Sequence, residues 1–363
     1  MPRYQQRCTL NQRASAKLAA WARSVQAEAG SPFEAAQRLV RRLGAHYRTG
    51  RAEFGFWAPE LVERGIPVDQ VVLELLTPLD DIDFAAQRQP VRFRVERLSL
   101  VQNGDYLWGV VDGARPGRRD QTGTFYWLRY CDEGGAWAAI CDPLAYSVPF
   151  GVFAPAELYD MEQLYRERAD RLHFSSLDAS PELDGIPRIG PPTNILQVHV
   201  RTASAEGTLA GLSRIYSNIA GKMRKGQPLA PAEENYAGYD AVQLMPVEPT
   251  IEYEAGPRFW QPEEKDREAG TVTVQVRRPD MTNWGYDVVI AASPAVNPAL
   301  LASGRPDEFL DLIATLHNHP GKPIKVILDI VYGHADNQAL PLLNRHFFAG
   351  QGMYGQEMNL RHP

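Results

Sequence analysis

Residues 325–334 read Lys325-Val326-Ile327-Leu328-Asp329-Ile330-Val331-Tyr332-Gly333-His334. The apolar run from Val326 to Leu328 is typical of a strand that is buried on both faces, as parallel barrel strands are. The run ends in the carboxylate of Asp329, and the imidazole of His334 follows shortly after. A charged side chain at the carboxyl end of a buried parallel strand is costly unless something binds there, and α/β barrels place their active sites at that end. The pattern therefore predicts a functional site at Asp329 and His334.

Segments with related patterns precede this one along the chain. Residues 325–334, with Asp-x-x-x-x-His after an apolar strand, closely resemble the first signature region of the α-amylase superfamily (glycoside hydrolase family 13). Four upstream segments also resemble the family, in the same order. Asn194–Val200 resembles its first strand, and Gly207–Leu212 resembles its Gly-Thr-x-x-Gly-Leu motif. Gly238–Val247 resembles its second strand with a leading Gly and trailing Pro, and Asn283–Asp287 resembles the Trp-Gly-Tyr-Asp segment of branching and debranching members. Ordered matches over about 140 residues argue against a chance resemblance.

The resemblance implies a fold and roles for four side chains. The fold is the N-terminal part of a (β/α)8 TIM barrel, with its strands one to three. Asp329 would lie at the floor of the subsite that holds the reacting glucose, paired with the Arg that precedes the nucleophile. His334 would hydrogen-bond the glucose 6-hydroxyl, Tyr286 would stack on that ring, and His199 would lie at the bottom of the cleft. For His199 a satisfied core histidine is the alternative.

The family's main catalytic groups have no counterpart in this sequence. The nucleophile is an Asp in a Gly-x-Arg-x-Asp context on strand four, the acid/base Glu follows strand five, and another Asp follows strand seven. None of these motifs occurs, so no catalytic residue is assigned to the chain. A complete barrel usually takes about 250 residues, whereas residues 194–363 number roughly 170. We therefore expect a family member truncated after the third barrel strand.

Composition shifts along the chain predict four parts. Residues 1–48 are expected to form a helical hairpin, and residues 49–150 contain short strand-like runs between turn residues, which favour an all-β sandwich. This sandwich resembles the Ig-like, carbohydrate-binding-module-like domain of branching and debranching enzymes. Residues 151–192 are predicted to be a connector, and residues 193–363 the barrel part. Within it, the long loop from Glu248 to Thr282 is expected to shape the substrate cleft.

Capping and periodicity define the two expected N-terminal helices. Thr9–Gln12 and Ser31–Glu34 both fit the capping-box pattern, and Pro32 sits at a favoured first helical position. Each helix carries an apolar stripe: Leu18, Trp21, Ala22 and Val25 in the first, and Phe33, Ala36, Leu39, Val40 and Leu43 in the second.

Aromatic residues are frequent in the sandwich segment. They could form a sugar-stacking platform, although aromatic side chains that alternate along strands usually face a core: Trp57, Trp108, Trp127, Tyr130 and Trp137.

Charge, cysteine content and hydropathy limit the partners and the cell compartment that are expected. The net charge is −6 with scattered basic residues, which argues against nucleic acid. Three cysteines are too few for a disulfide framework, and the N-terminus lacks the apolar region of a signal peptide, so a cytoplasmic protein is expected. No window approaches eighteen apolar residues, so no membrane partner is predicted. No cofactor or metal is expected either, because Gly333 stands where many α-amylases carry an Asn that ligates calcium.

The resemblance thus implies an α-glucan-active hydrolase or transglycosylase with a retaining, double-displacement mechanism, whose nucleophile and acid lie beyond this chain. Glycogen, starch or a maltooligosaccharide would be the substrate, and the chain alone is expected to be inactive. Two alternatives stay open: a non-catalytic glucan-binding fragment, or one half of a split enzyme completed by a second chain. A reading frame directly downstream that encodes Gly-x-Arg-x-Asp would favour the truncated enzyme over these alternatives.

Overall fold

The computed structural model describes residues 7–132, 134–177, 182–183, 186–187, 189–251, 259–266, 268–280, 283–290, 293–335, 350–351 and 357–358. Within these residues no helix combines the length and the apolar character needed to cross a membrane. The α-helices are α1 (Gln12–Glu28), α2 (Pro32–Leu39), α3 (Pro59–Glu63), α4 (Met161–Arg166), α5 (Arg171–Leu177), α6 (Val200–Ala203), α7 (Leu209–Arg224), α8 (Pro231–Glu234) and α9 (Asp307–His317).

The strands in chain order are β1 (Thr9–Leu10), β2 (Gly44–Arg48), β3 (Arg51–Trp57), β4 (Val71–Pro78), β5 (Arg88–Leu98), β6 (Val101–Asn103), β7 (Tyr106–Asp112), β8 (Phe125–Cys131), β9 (Trp137–Ile140), β10 (Ala156–Glu157), β11 (Glu182–Leu183), β12 (Ile186–Pro187), β13 (Ile195–Val198), β14 (Ala241–Leu244), β15 (Trp260–Asp266), β16 (Thr271–Arg277), β17 (Lys325–Leu328), β18 (His334–Ala335), β19 (Gly350–Gln351) and β20 (Glu357–Met358).

Two antiparallel sheets of the described residues pack face to face. One has the order β1-β7-β3-β2 with β6 on β7, and the other has the order β10-β8-β4-β5-β16-β15 with β9 on β8. Side chains of both sheets meet in one core, where the rings of Phe54 and Tyr126 lie 5.2 Å apart edge to face. Strand β7 is buried on both of its faces because α1 covers the outer one, where Trp108 and Val110 contact Leu18 and its neighbours. The predicted all-β layer is therefore present as two packed sheets.

The N-terminal helices are not a separate unit from this layer. Helix α1 begins after Asn11, whose side chain accepts from the Ala14 amide, instead of at the predicted Thr9 cap. Helix α2 begins at Pro32 after the predicted Ser31 cap. The strands β1 and β2 flank the helices and belong to the first sheet, so the expected boundary at residue 48 falls inside the sheet instead of between two domains.

The apolar stripe predicted for α2 was wrong in part. Phe33 is 72% exposed and Val40 is 48% exposed, while Ala35 and Leu39 are the buried residues of the helix. The α-helix ends at Leu39, four residues or about one turn before the end of the predicted stripe at Leu43, so only a narrow face reaches α1.

The long segment after β14 also departs from the expected cleft-forming loop. Its described residues form the hairpin β15–β16, and β16 pairs with β5 along its whole length, from Thr271 opposite Arg94 to Arg277 opposite Arg88. The alternating burial of β16, with Val272, Val274 and Val276 buried, gives the hairpin an apolar face that fits the sandwich sheet. The hairpin therefore extends the second sheet.

The predicted connector is likewise tied to the sandwich. Strand β10 of this segment pairs with β8, and the short helices α4 and α5 follow it.

Three parallel strands form a further sheet in the order β13-β14-β17. The register aligns Leu196, Val242 and Val326, whose side chains pack with α7 and α9 on one face of the sheet. These strands fall in the segments where the sequence predicts the first three barrel strands. Apolar residues at helical spacing on α7 and α9, including Leu212 and Leu312, supply the helical side of this core.

A buried ion pair joins the sandwich to this parallel layer. The Arg305 guanidinium, just before α9, donates to Glu157 of β10 over 2.9 Å, and the two side chains are 5% and 0% exposed. Glu157 also accepts from the Gly123 amide and the Ser147 hydroxyl at 2.6 and 2.8 Å. The guanidinium lies over the Phe84 ring at 4.1 Å. A carboxylate with three donors tolerates burial, whereas the same carboxylate without its cation is destabilising.

Replacing Arg305 with Met should strongly destabilise the protein, because it leaves the Glu157 charge buried without its partner. We expect the free energy of unfolding, measured by denaturant titration, to fall by about 3–5 kcal/mol. The matched control is Arg214→Met, since Arg214 pairs with Glu206 at 2.7 Å on the surface with 58% and 48% exposure, and such pairs contribute about 0–1 kcal/mol. Equal losses in the two variants would contradict a structural role for the buried pair.

Candidate functional site

The carboxyl ends of the three parallel strands lie at one edge of their sheet. The register places Val198, Leu244 and Leu328 side by side. The chain keeps this alignment one residue further, because the Met245 amide donates to Val198 and the Asp329 amide donates to Leu244, each over 3.0 Å. The residues that follow the strands are therefore brought to the same edge.

Asp329 is joined at this edge to Tyr286, which comes from a segment more than forty residues earlier. The Tyr286 hydroxyl donates to the Asp329 carboxylate over 2.7 Å, and the Gln243 amide lies 3.5 Å from the same oxygen. The hydrogen bond to Asp329 raises the pKa of the Tyr286 hydroxyl, because loss of the proton would place a second negative charge beside the carboxylate. Two of the residues that the sequence singled out thus meet directly.

The Trp-Gly-Tyr-Asp segment is held in place by its own side chains and by the loop after β14. The Asn283 side chain accepts from the Gly285 amide and donates to Asp287, both over 2.9 Å. Gly285 has φ +109°, and a Cβ there would lie 2.8 Å from the Pro246 carbonyl oxygen. Only glycine fits this position, and its close approach to the strand fixes the direction from which Tyr286 reaches Asp329.

Trp284 lies at the open side of this arrangement. It is 62% exposed, and its ring meets that of Tyr286 edge to face at 4.9 Å. A large aromatic ring beside a hydrogen-bonded carboxylate provides both an apolar surface and a polar group for a ligand.

His199 and His334 are placed differently. His199 follows β13, is half-buried, and has its Nε2 3.3 Å from the Asn283 carbonyl oxygen, so it supports the loop that carries Tyr286. His334 lies in β18, which pairs with β20, and is half-buried. Among the described residues no hydrogen bond or ring contact joins His334 to Asp329 or Tyr286, so its role at the same glucose ring stays a prediction.

The sequence reasoning missed Glu248. This residue follows β14 directly after the apolar Pro246-Val247, is 4% exposed, and neither of its carboxylate oxygens has a hydrogen-bond partner in another described residue. Its neighbours are fixed, since the Val247 carbonyl accepts from the Asn297 amide over 2.7 Å. The signal in the sequence was an acidic residue at the carboxyl end of a predicted barrel strand, which is where α/β barrels carry functional groups.

Burial raises the pKa of the Glu248 carboxyl to about 7, and the negative charge of Asp329 adds to the increase. Transfer of a carboxylate from water into an apolar environment disfavours its charged form, and a nearby like charge acts in the same direction. The edge of the sheet therefore contains a carboxyl group that exchanges its proton near neutral pH.

Among the described residues, no group of three or more His, Cys, Asp or Glu side chains is arranged to hold a metal ion. The expectation that the chain needs no metal or cofactor stays a prediction.

Comparison with known proteins identifies the family. The sequence model of the family "Hypothetical glycoside hydrolase 5" (GHL5) matches residues 17–363. The chain belongs to this family, which is a glycoside hydrolase family by its description. A search of curated protein sequences finds no match.

Among solved structures, one similar chain is "Putative alpha Amylase from Salmonella typhimurium", with 18% identity and a TM-score of 0.47. The match covers 87% of this chain and 38% of that one, so the chain spans well under half the length of that protein.

A pH-dependent stability test addresses Glu248. In the folded protein its pKa is about 7, above the ordinary 4.5, so its contribution to stability is complete below pH 4.5 and is lost as the pH rises through 7. Glu248→Gln, which keeps the shape but has no proton to lose, should gain stability relative to the wild type across this range. Urea unfolding at a series of pH values measures the difference.

The control for this test is Glu263→Gln, an exposed side chain on β15. Its difference from the wild type should stay flat with pH. A flat difference for Glu248→Gln as well would show that the Glu248 carboxyl is solvated and titrates normally.

Proposed function

We propose that this chain provides the glucose-binding floor of a retaining glycosidase or glucanotransferase that acts on α-linked glucans. Membership in a glycoside hydrolase family gives the general class. The α-linkage and the double-displacement mechanism follow from the resemblance of residues 194–334 to the α-amylase superfamily, in which the nucleophile and acid lie on later strands. The proposal places both of those groups outside residues 1–363.

The observation that carries the proposal is the hydrogen bond from Tyr286 to Asp329. The two residues come from the Trp-Gly-Tyr-Asp and Asp-x-x-x-x-His segments, which the resemblance assigns to one glucose subsite. A scaffold that only packs has no reason to bring a phenol and a carboxylate together at the open end of parallel strands, because burying these polar groups even in part costs desolvation and adds no apolar contact to the core. Their 2.7 Å contact at that edge fits a ligand-binding role.

The proposed roles follow the geometry. Asp329 accepts from sugar hydroxyls and supplies negative charge near a developing oxocarbenium ion, while Tyr286 orients the carboxylate and offers its ring as a stacking surface. Trp284 would widen that surface, and His199 would hold the loop. Glu248 would be a buried carboxyl beside Asp329 that keeps its proton below neutral pH and so adds no second negative charge to the subsite there.

The two faces of the parallel sheet support a barrel. Helices α7 and α9 cover the face with Val242 and Leu244, as the outer ring of a (β/α)8 barrel would. The opposite face mixes Ile195, which is 44% exposed, and the half-buried Ile327 with the polar side chains of Gln197, Gln243 and Lys325. This face is free of covering helices among the described residues, as the inner face of a barrel would be.

Calorimetric titration of the full chain with maltotriose tests the subsite. Tyr286→Phe removes only the hydroxyl that orients the Asp329 carboxylate, so binding should weaken about three- to tenfold, the range for one ordinary hydrogen bond. Asp329→Asn should weaken it further, because Asn offers one acceptor oxygen where the carboxylate offers two. Asp311→Asn, on the exposed side of α9, is the control and should bind as the wild type does.

Two outcomes would contradict the proposal. One is maltotriose binding that is unchanged in both site variants. The other is turnover of amylose, glycogen or pullulan by the purified chain that a point mutation in this chain abolishes, because it would place a nucleophile or acid within residues 1–363.

A further inference from the structure

A cavity of about 360 Å³ lies between the loop that leads into α7 and the chain that leaves β16. Arg201 and residues 205–208 form one wall, residues 278–280 form another, and Gln87 and Ala299 complete the lining. We call this cavity the arginine pocket, after Arg201 and Arg278. Ligand sites usually have volumes of about 300–1,000 Å³, so the pocket has room for a small molecule at the lower end of that range.

The two arginines of the pocket lack the acceptors that guanidinium groups normally find. The Arg201 side chain is 29% exposed and Arg278 is half-buried, yet neither side chain makes a hydrogen bond to another described residue. The carboxylate of Asp280 lies 3.7 Å from Arg201, which is beyond hydrogen-bond distance. By contrast, the Arg118 side chain, which is 36% exposed, donates to Asp160 over 2.9 Å. Each guanidinium of the pocket thus has five N–H donors that no described residue engages.

Two carboxylates also line the pocket, but they leave an excess of positive charge. Glu206 accepts from Arg214 over 2.7 Å, so its negative charge is already compensated by a cation that is not part of the described lining. Asp280 is 70% exposed and lies only loosely beside Arg201. The charges that remain are two guanidinium groups and one solvated carboxylate, and such an excess favours an anionic ligand.

Both walls are held in place by backbone contacts. Gly207 has φ +62°, and a Cβ there would lie 3.0 Å from the Arg201 carbonyl oxygen, so the loop turns back tightly on itself. On the other wall the Arg278 amide donates to the Gln87 carbonyl over 3.1 Å, and the amide of the preceding Arg277 donates to a carbonyl of the β15 side over 3.0 Å. The backbone positions that carry the two guanidinium groups are therefore fixed, which lowers the entropic cost of binding a ligand.

We propose that the arginine pocket binds the phosphate group of a small phosphorylated molecule, with Arg201 and Arg278 donating to its oxygens. A phosphate monoester carries about two negative charges near neutral pH and three strong acceptor oxygens. Guanidinium forks that come from two different segments can each engage a pair of those oxygens. A planar carboxylate offers only two oxygens to the same two forks, and a neutral sugar brings no charge to balance the excess.

The pocket lies on the two segments that lead to the candidate site. Arg201 is two residues after His199, Asp280 is three residues before Asn283, and the His199 Nε2 lies 3.3 Å from the Asn283 carbonyl oxygen. A molecule held by both walls would therefore lie beside the loop that carries Tyr286. The described lining contains neither Tyr286 nor Asp329, so phosphate binding goes beyond the proposed function and is measurable without turnover.

Calorimetric titration of the full chain in a phosphate-free buffer tests the pocket, with inorganic phosphate and glucose 6-phosphate as the probes. The wild type should bind both. Arg201→Gln and Arg278→Gln should each weaken binding about tenfold or more, because each removes a charge-assisted pair of hydrogen bonds. Asp280→Asn should strengthen binding about two- to threefold, since it removes a negative charge from the wall of the pocket.

The matched control is Arg38→Gln, because Arg38 is an exposed arginine on α2 that pairs with Glu28 at 3.3 Å, outside the pocket. This variant should bind phosphate as the wild type does. Since the side chains of Arg201 and Arg278 make no hydrogen bond to described residues, their variants should also unfold at the same urea concentration as the wild type. Urea unfolding therefore separates a loss of ligand binding from a loss of the fold.

The proposal would be overturned if neither phosphate ligand bound, or if both bound equally to the wild type, Arg201→Gln and Arg278→Gln. Glucuronate bound as tightly as glucose 6-phosphate would also overturn it, because that sugar carries a carboxylate in place of the phosphate. Asp329→Asn and Tyr286→Phe should leave phosphate binding intact while they weaken maltotriose binding. Phosphate binding lost in these two variants would place the anion at the Asp329 edge and contradict the pocket, whereas unchanged maltotriose binding in them counts against the proposed function alone.

Discussion

The buried ion pair between Glu157 and Arg305 is the contact on which the arrangement of the two layers depends. Glu157 belongs to the sandwich sheet through β10, and Arg305 precedes the helix that packs under the parallel strands. The carboxylate is satisfied by donors from three separate segments, so it can be buried only when all of them are in place. The hydrogen bonds of Glu157 require fixed distances, whereas apolar contacts permit small shifts between packed surfaces. The ion pair therefore fixes the position of the parallel sheet relative to the sandwich more strictly than apolar packing does.

The position of the candidate site depends on this fixed arrangement of the parallel sheet and the sandwich. Helix α9 supports the strand that ends at Asp329, while Gly285 lets the preceding segment approach the end of the neighbouring strand closely enough for Tyr286 to reach the carboxylate. Glu248 lies on the loop between these elements and is only 4% exposed. A half-buried, orienting contact and a buried carboxyl with a raised pKa are thus held by the same strand ends, so one edge has two different electrostatic environments.

The hairpin β15–β16 connects the sandwich to the segment that leads to the candidate site. In sequence it is an insertion between the second parallel strand and the Trp-Gly-Tyr-Asp segment, yet it pairs with β5 of the sandwich along seven residues. The same insertion therefore anchors the chain that leads to Tyr286 on the second sandwich sheet.

The sequence alone determined the local features. Apolar runs that end in polar residues predicted the three parallel strands and singled out Asp329, and the Trp-Gly-Tyr-Asp segment singled out Tyr286. Such features can be predicted because each of them is visible within a short stretch of sequence. The pairing of the β15–β16 hairpin with β5 and the burial of Glu248 were decided only by the tertiary structure. Both depend on how segments far apart in the chain pack together, and a one-residue change in the register of the hairpin would turn its buried side chains to the other face.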